Sequence, residues 1–140
     1  MSGRSALVRI ALDYLAAAEE RDLERASSFL LVSAEIIFPG GVHHHDLAEV
    51  VAAARRRYRW VKKSIDHVDA DDDHGVVVVV GRLRGENLHA VPFASVRFID
   101  RFTFSGSHIQ TQHVWNDLAE SGVLHCTQEA DVPEAFRWTD

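Results

Sequence analysis

The sequence is short of the features that most quickly assign a chain to a class. It has a single cysteine, Cys126, in 140 residues, so no intrachain disulfide can form, and a lone thiol fits a reducing compartment. No apolar run approaches the roughly 18 residues a membrane span requires; none exceeds the five of Val76–Val80. Basic residues are in deficit. Fifteen Lys and Arg against 21 Asp and Glu give a net charge of −6, which disfavours nucleic acid and acidic membranes as partners. Arg4 and Arg9 interrupt the N-terminal apolar stretch, so a secretory signal core is not expected and a cytoplasmic location is. A phosphate-binding Gly loop and a nucleophilic Ser motif are missing too, and no cofactor is expected.

What remains is ordinary globular composition, 46% hydrophobic and 26% charged, in one domain large enough to fold without metal or disulfide. Leu7, Ile10, Ala11, Tyr14, Leu15 and Ala18 recur at three- and four-residue intervals, which predicts a helix over 5–20 with these residues on its buried face. Asp22 restarts the pattern as an N-cap, and Leu23, Ala26, Phe29 and Leu30 mark a second short helix. Ala34–Phe38, stopped by Pro39-Gly40-Gly41, reads as a short strand. Asp46 and Glu49 resemble a capping box that opens a third helix, with Leu47, Val50, Val51, Ala54 and Tyr58 inward.

Beyond Trp60 the period changes to two. Val61–Val68 and the β-branched Val76–Arg84 are strands, separated by the polar turn Asp69–Gly75, and Gly85-Glu86-Asn87 is a further turn. In Ala94–Phe104 the residues Val96, Phe98, Asp100, Phe102 and Phe104 share one face, opposite Arg97, Ile99, Arg101 and Thr103. Ser105-Gly106-Ser107 turns the chain into a returning strand, Ile109–Leu118, whose odd positions Ile109, Thr111, His113, Trp115 and Asp117 would share a face. The core is expected over about 5–120, with 121–140 as a loosely attached tail. Helices first and antiparallel strands after predict an α+β fold: three N-terminal helices on a curved, mainly antiparallel sheet, enclosing a cone-shaped pocket.

Three stretches carry a resemblance: Tyr14-Leu15-Ala16-Ala17 followed by Asp22-Leu23, then Phe98-Ile99-Asp100-Arg101-Phe102 before a Gly turn, then Val114-Trp115-Asn116-Asp117. With the element order they resemble the nuclear transport factor 2-like (NTF2-like) superfamily, which includes SnoaL-like polyketide cyclases, ketosteroid isomerases and limonene epoxide hydrolases. The resemblance implies a fold more than an activity, because this fold hosts many chemistries. In ketosteroid isomerases a helix Tyr and a protonated strand Asp hold the dienolate oxygen, the standard case of a carboxylic acid kept neutral by an apolar site. Tyr14 and Asp100 fall at those positions, but the proton-shuttling Asp falls at Phe38, which cannot take a proton. Against the epoxide hydrolases, Asp117 and Arg82 match, while the remaining acid would be Arg84. SnoaL-like cyclases, with an Asp/His pair in the pocket, are the looser match.

On this reading Tyr14 and Asp100 hold an enolate-like oxygen and His113 moves a proton, with Asp117 as a fourth candidate. If Phe104 closes against Ile109, Asp100 lies across from His113. Phe38, Trp60, Phe98, Phe102 and Trp115 would line the pocket around a small, apolar carbonyl compound, acted on by isomerisation, cyclisation or dehydration. The bland alternatives are a core Tyr, a structural Asp and a satisfied core His. The alternative function is a non-catalytic ligand-binding or dimerisation module, and the resemblance implies a homodimer. His43-His44-His45 cannot all face one ion, and Asp69, Asp71 and Asp73 lack the glycine and glutamate spacing of a calcium loop, so no metal is expected. The Arg55-Arg56-Arg57-Tyr58-Arg59 and Lys62-Lys63 cluster reads as a solvated face.

Overall fold

A computed structural model describes residues 5–139; Arg4 lies outside the described residues. The chain opens with helices α1 (Ala6–Glu19) and α2 (Leu23–Ser28), strands β1 (Leu30–Phe38) and β2 (Val42–His44), and helix α3 (Leu47–Arg55). Four strands follow: β3 (Tyr58–Asp71), β4 (Val76–Asn87), β5 (Pro92–Ser105) and β6 (His108–Asn116). A short helix α4 (Leu118–Ser121) and three single-turn 3₁₀ segments complete the chain.

Each of the first three helices starts at a side chain that takes an orphan backbone N–H. Ser5 Oγ accepts from Val8 at 3.1 Å, Asp22 from Arg25 at 3.2 Å and Asp46 from Glu49 at 2.9 Å. Glu49 reaches back to the N–H of His45 rather than that of Asp46, so the capping box is displaced by one residue. The α1 stripe Val8, Ala11, Tyr14, Leu15 is buried and packs over the sheet.

The six strands form one sheet in the order β2-β1-β6-β5-β4-β3. Among the described residues β1 and β6 run parallel and the other neighbours are antiparallel. Three N-terminal helices on a mainly antiparallel sheet is therefore the architecture. Several boundaries differ from those the sequence predicts. β1 begins at Leu30 rather than Ala34, because its first residues pair irregularly with β6. Tyr58 opens β3 instead of ending α3. Gly85-Glu86-Asn87 lies within β4, and the turn falls at 88–91.

The expected loose tail is docked. Val123, Cys126 and Val132 are buried, and Asn87 fixes them by donating to the carbonyls of Val123 (2.9 Å) and Cys126 (2.8 Å). Asn87 Oδ1 accepts the N–H groups of His89 and Val91, so a fully buried amide that touches the tail at Val123 and Cys126 is fully satisfied. Single 3₁₀ turns carry these anchors, so no helical or strand period marks them in the sequence. No helix among the described residues is long and apolar enough to cross a membrane.

Candidate functional site

The decisive local feature is one extra residue in β6. Phe104 pairs with Ile109, but Thr103 pairs with Thr111, so Gln110 bulges and the alternation changes phase. Ile109 points inward, and so do Gln112 and Val114, while His113 and Trp115 turn to the outer face. Asp100 therefore lies across from Val114, and His113 across from Arg101. The sequence-based pairing of Asp100 with His113 is corrected by this single bulge. His113 stacks on Trp115 with ring centroids 3.8 Å apart, on the opposite side of the sheet from Asp100.

Asp100 is completely buried on the inner face. Burying a carboxylate costs several kcal/mol unless it is paired, and the partner comes from β3. Lys63 Nζ donates to Asp100 Oδ2 at 2.7 Å and sits 4.9 Å from the centroid of the Phe98 ring, where the ring face adds a cation–π attraction. Gly81 keeps the path between the strands clear. A Cβ there would lie 2.0 Å from the Ser64 carbonyl oxygen and 2.8 Å from Phe98, so the inward bulge of β3 and the Phe98 ring both require glycine.

Gln112 extends the network. Its amide approaches Asp100 Oδ2 at 3.5 Å and its Oε1 accepts the Tyr14 hydroxyl at 2.5 Å. Burial, reinforced by the Asp100 charge, pushes the Tyr14 hydroxyl well above its ordinary range, which favours the neutral donor that Gln112 accepts from. Asp100 Oδ1 is buried with no hydrogen-bond partner among the described protein atoms. Each such atom in a native core calls for a reason, such as water, a ligand or a catalytic role.

Tyr14, Lys63, Gln112 and Phe98 face a cavity of about 110 Å³ between α1, α3 and the sheet, with Phe38 in its wall. That is smaller than the roughly 150 Å³ void that takes a benzene ring, so a bound ring would extend toward the cavity's open side. Its lining reaches the surface at polar residues: Glu19 and Arg21 are exposed, and Arg57 and Tyr58 are half-buried. Glu19 is the one carboxylate among the cavity's described lining residues, and its Oε1 accepts the Lys63 backbone N–H at 2.8 Å. β3 is an edge strand, so that N–H has no ladder partner and α1 supplies one.

The structure thus brings Tyr14, Asp100, Phe38 and Phe98 to one region and sends other candidates elsewhere. Phe102 is buried and meets Tyr14 edge-on at 5.8 Å, but does not line the cavity. Trp60 meets Trp138 edge-on, with ring centroids 5.8 Å apart. Trp115 and Asp117 line a separate outer-face groove of about 860 Å³ with Ile99, and Asp117 accepts from Arg97 Nε at 2.6 Å. Lys63, Gln112 and Glu19 were missed. Lys63 shares the phase of Val61 but adjoins a basic run, and Gln112 turns inward only because of the bulge. Among the described residues, no three His, Cys, Asp or Glu side chains gather as a metal set. Cys126 is buried, its thiol pushed up by burial and by Asp131, which leaves little reactive thiolate.

No protein-family model and no curated protein matches the sequence. Solved structures do match in shape. A TerC crystal structure, co-crystallised with polyporic acid, superposes with a TM-score of 0.76 at 16% identity, over 87% of this chain and 100% of that one. An NTF2-like protein of unknown function from Burkholderia pseudomallei gives 0.74 at 18% identity, over 88% and 100%. A protein described as a SnoaL-like polyketide cyclase, from Jannaschia sp., gives 0.70 at 16% identity, over 89% and 97%. The chain has the NTF2-like fold. At these identities the likeness carries the NTF2-like architecture and leaves activity to the side chains.

Proposed function

We propose that this chain binds a small, largely apolar carbonyl or enol compound in the inner cavity and moves a proton on it, as an isomerase, cyclase or dehydratase of the SnoaL-like kind would. The observation that carries this reading is the Lys63–Asp100 pair, set in an apolar wall and facing the cavity through Lys63. An ammonium has three donors. Asp100 takes one and the Phe98 face attracts the group, which leaves donor capacity for an oxygen that gains charge in the reaction.

Asp100 then acts behind Lys63 as its fixed counter-charge, while Tyr14 and Gln112 hold Asp100 in place. His113, on the outer face, takes no part. Lys63 stabilises or protonates the enolate oxygen, and the Glu19 carboxylate accepts the proton from carbon. That a neighbour of the same fold was crystallised with polyporic acid agrees with an oxygen-rich ligand. A non-catalytic binding module is the second reading, favoured by the apolar Phe38 in the cavity wall where the resemblance places a proton-shuttling Asp.

Two probes separate these readings. 2-Nitrophenol reports its own ionisation by colour, and cyclohexanone in D₂O reports α-proton exchange by NMR. The proposal predicts that the protein binds the phenol as its anion and accelerates exchange, and that Glu19→Gln abolishes exchange while retaining phenol binding. Phenol binding without exchange supports the binding module. No colour change and no exchange would overturn both.

A further inference from the structure

Two arginines at the mouth of the cavity take no part in the proton-transfer chemistry. α1 and α3 both end there, and helix C-termini present partial negative charge. An arginine just beyond each end reverses that sign: Arg21 after α1 and Arg57 after α3, both lining the mouth. Neither takes part in an ion pair among the described residues. Glu19 opposes them but is already engaged by the Lys63 backbone N–H.

Arg21 sits where its side chain is conformationally costly. The Asp22 N–H bonds to the Ala17 carbonyl at 2.9 Å and the Arg21 N–H to that of Ala18 at 3.1 Å, the paired bonds of a Schellman ending. The residue between them takes the left-handed conformation, usually as glycine. Here it is Arg21, with φ of 62°. Its guanidinium Nη1 donates to the Ala18 carbonyl at 2.9 Å, which holds the exposed head group beside the helix end. A strained non-glycine residue whose side chain is anchored at a cavity mouth points to a role for that side chain.

We propose that Arg21 and Arg57 form an anion subsite at the mouth, so that the ligand is a carboxylate-bearing carbonyl or enol compound. Its oxygen meets Lys63 at depth and its carboxylate meets the two guanidinium groups at the entrance. This rests on the reading that the inner cavity binds a small oxygenated ring. Guanidinium is suited to the task, because its planar donors match a carboxylate in pairs.

The test compares two chromogenic rings that differ by one group, 2-nitrophenol and 4-hydroxy-3-nitrobenzoate, titrated at low salt against wild type, Arg57→Gln and Arg21→Gly. In wild type the carboxylated ring should bind about tenfold or more tightly than the plain one, and the advantage should shrink as salt rises. Either substitution should bring the two affinities together. Arg21→Gly should do so with an unchanged or raised Tm, since glycine accepts that backbone conformation, so lost affinity cannot be ascribed to misfolding. Equal affinities in wild type, or an advantage that survives both substitutions, would overturn the subsite and leave the cavity reading intact. If neither ring binds, the subsite and the cavity reading fall together.

Discussion

The two faces of the central strands are built from alternate residues of the same segments, and they differ in what they do with charge. On the inner face Asp100, Lys63, Gln112 and Tyr14 form one connected set in apolar surroundings. The outer face spreads its charges into separate surface pairs, Arg82 with Asp66 and Arg97 with Asp117, around the exposed Ile99 and Trp115. Surface pairs of that kind are worth little each, whereas a buried set is coupled, and loss of one member strands the others. Position on the face, rather than residue type, separates Asp100 from Asp117 and Gln112 from His113.

The residue that assigns the faces is Gln110, so removing it should have the largest effect. Deletion of Gln110 forces either Ile109 or the Gln112–Val114 pair to the wrong side. We expect loss of cooperative unfolding, or destabilisation by about 4 kcal/mol or more, measured by denaturant titration. A stable ΔGln110 variant with unchanged midpoint would break the account of the bulge.

Next come the members of the buried pair, and they should differ. Asp100→Ala leaves an ammonium that retains some exposure, its side chain being 23% accessible, and should cost about 3 kcal/mol. Lys63→Met leaves a carboxylate with no exposure at all, and should cost more. Its deficit should grow as pH rises, because the stranded carboxyl escapes only by holding a proton. The double variant Lys63→Met/Asp100→Leu should lose less than the sum of the two, a coupling a double-mutant cycle measures.

Tyr14→Phe removes one donor and leaves Gln112 Oε1 unsatisfied, for an expected loss of about 1–3 kcal/mol by thermal or chemical denaturation. On the outer face His113→Ala and Asp117→Ala should each stay within about 0.5–1 kcal/mol and leave 2-nitrophenol binding unchanged. The smallest effect belongs to the exposed Asp66, whose carboxyl is held below its ordinary 3.8 chiefly by the Arg82 hydrogen bond, with the Arg82 charge adding to it against some desolvation. A depressed carboxyl stabilises the fold above its unfolded pKa and loses that contribution as pH falls through the folded value. Asp66→Asn should therefore narrow the stability difference from wild type only below about pH 4.

Much of the fold was legible because periodicity reports it directly. The α1 stripe, the Asp22 and Asp46 caps and the inward set Phe98, Asp100, Phe102 of β5 need only local rules. Asp100 stood out because a carboxyl in phase with two phenylalanines must be paired or neutral. What sequence could not supply was its partner. Lys63 lies two strands away, across Gly81, and its adjacency to a run of arginines made it look like part of a solvated face. His113 was misplaced for a different reason: a bulge leaves no mark in composition, yet it inverts every residue after it. The tail, held by Asn87 through two carbonyls, is a third case, with its anchors in 3₁₀ turns rather than in a repeating pattern.

With only two lysines in the chain, Lys62 and Lys63, NMR can address the central claim directly. Selective labelling of lysine and histidine side chains, followed through a titration with 2-nitrophenol, compares the two faces in one sample. The Lys63 side-chain signal should move in step with phenolate colour while Lys62 and the His113 ring stay still. Movement of His113 with Lys63 unchanged would place the ligand on the outer face and contradict that claim.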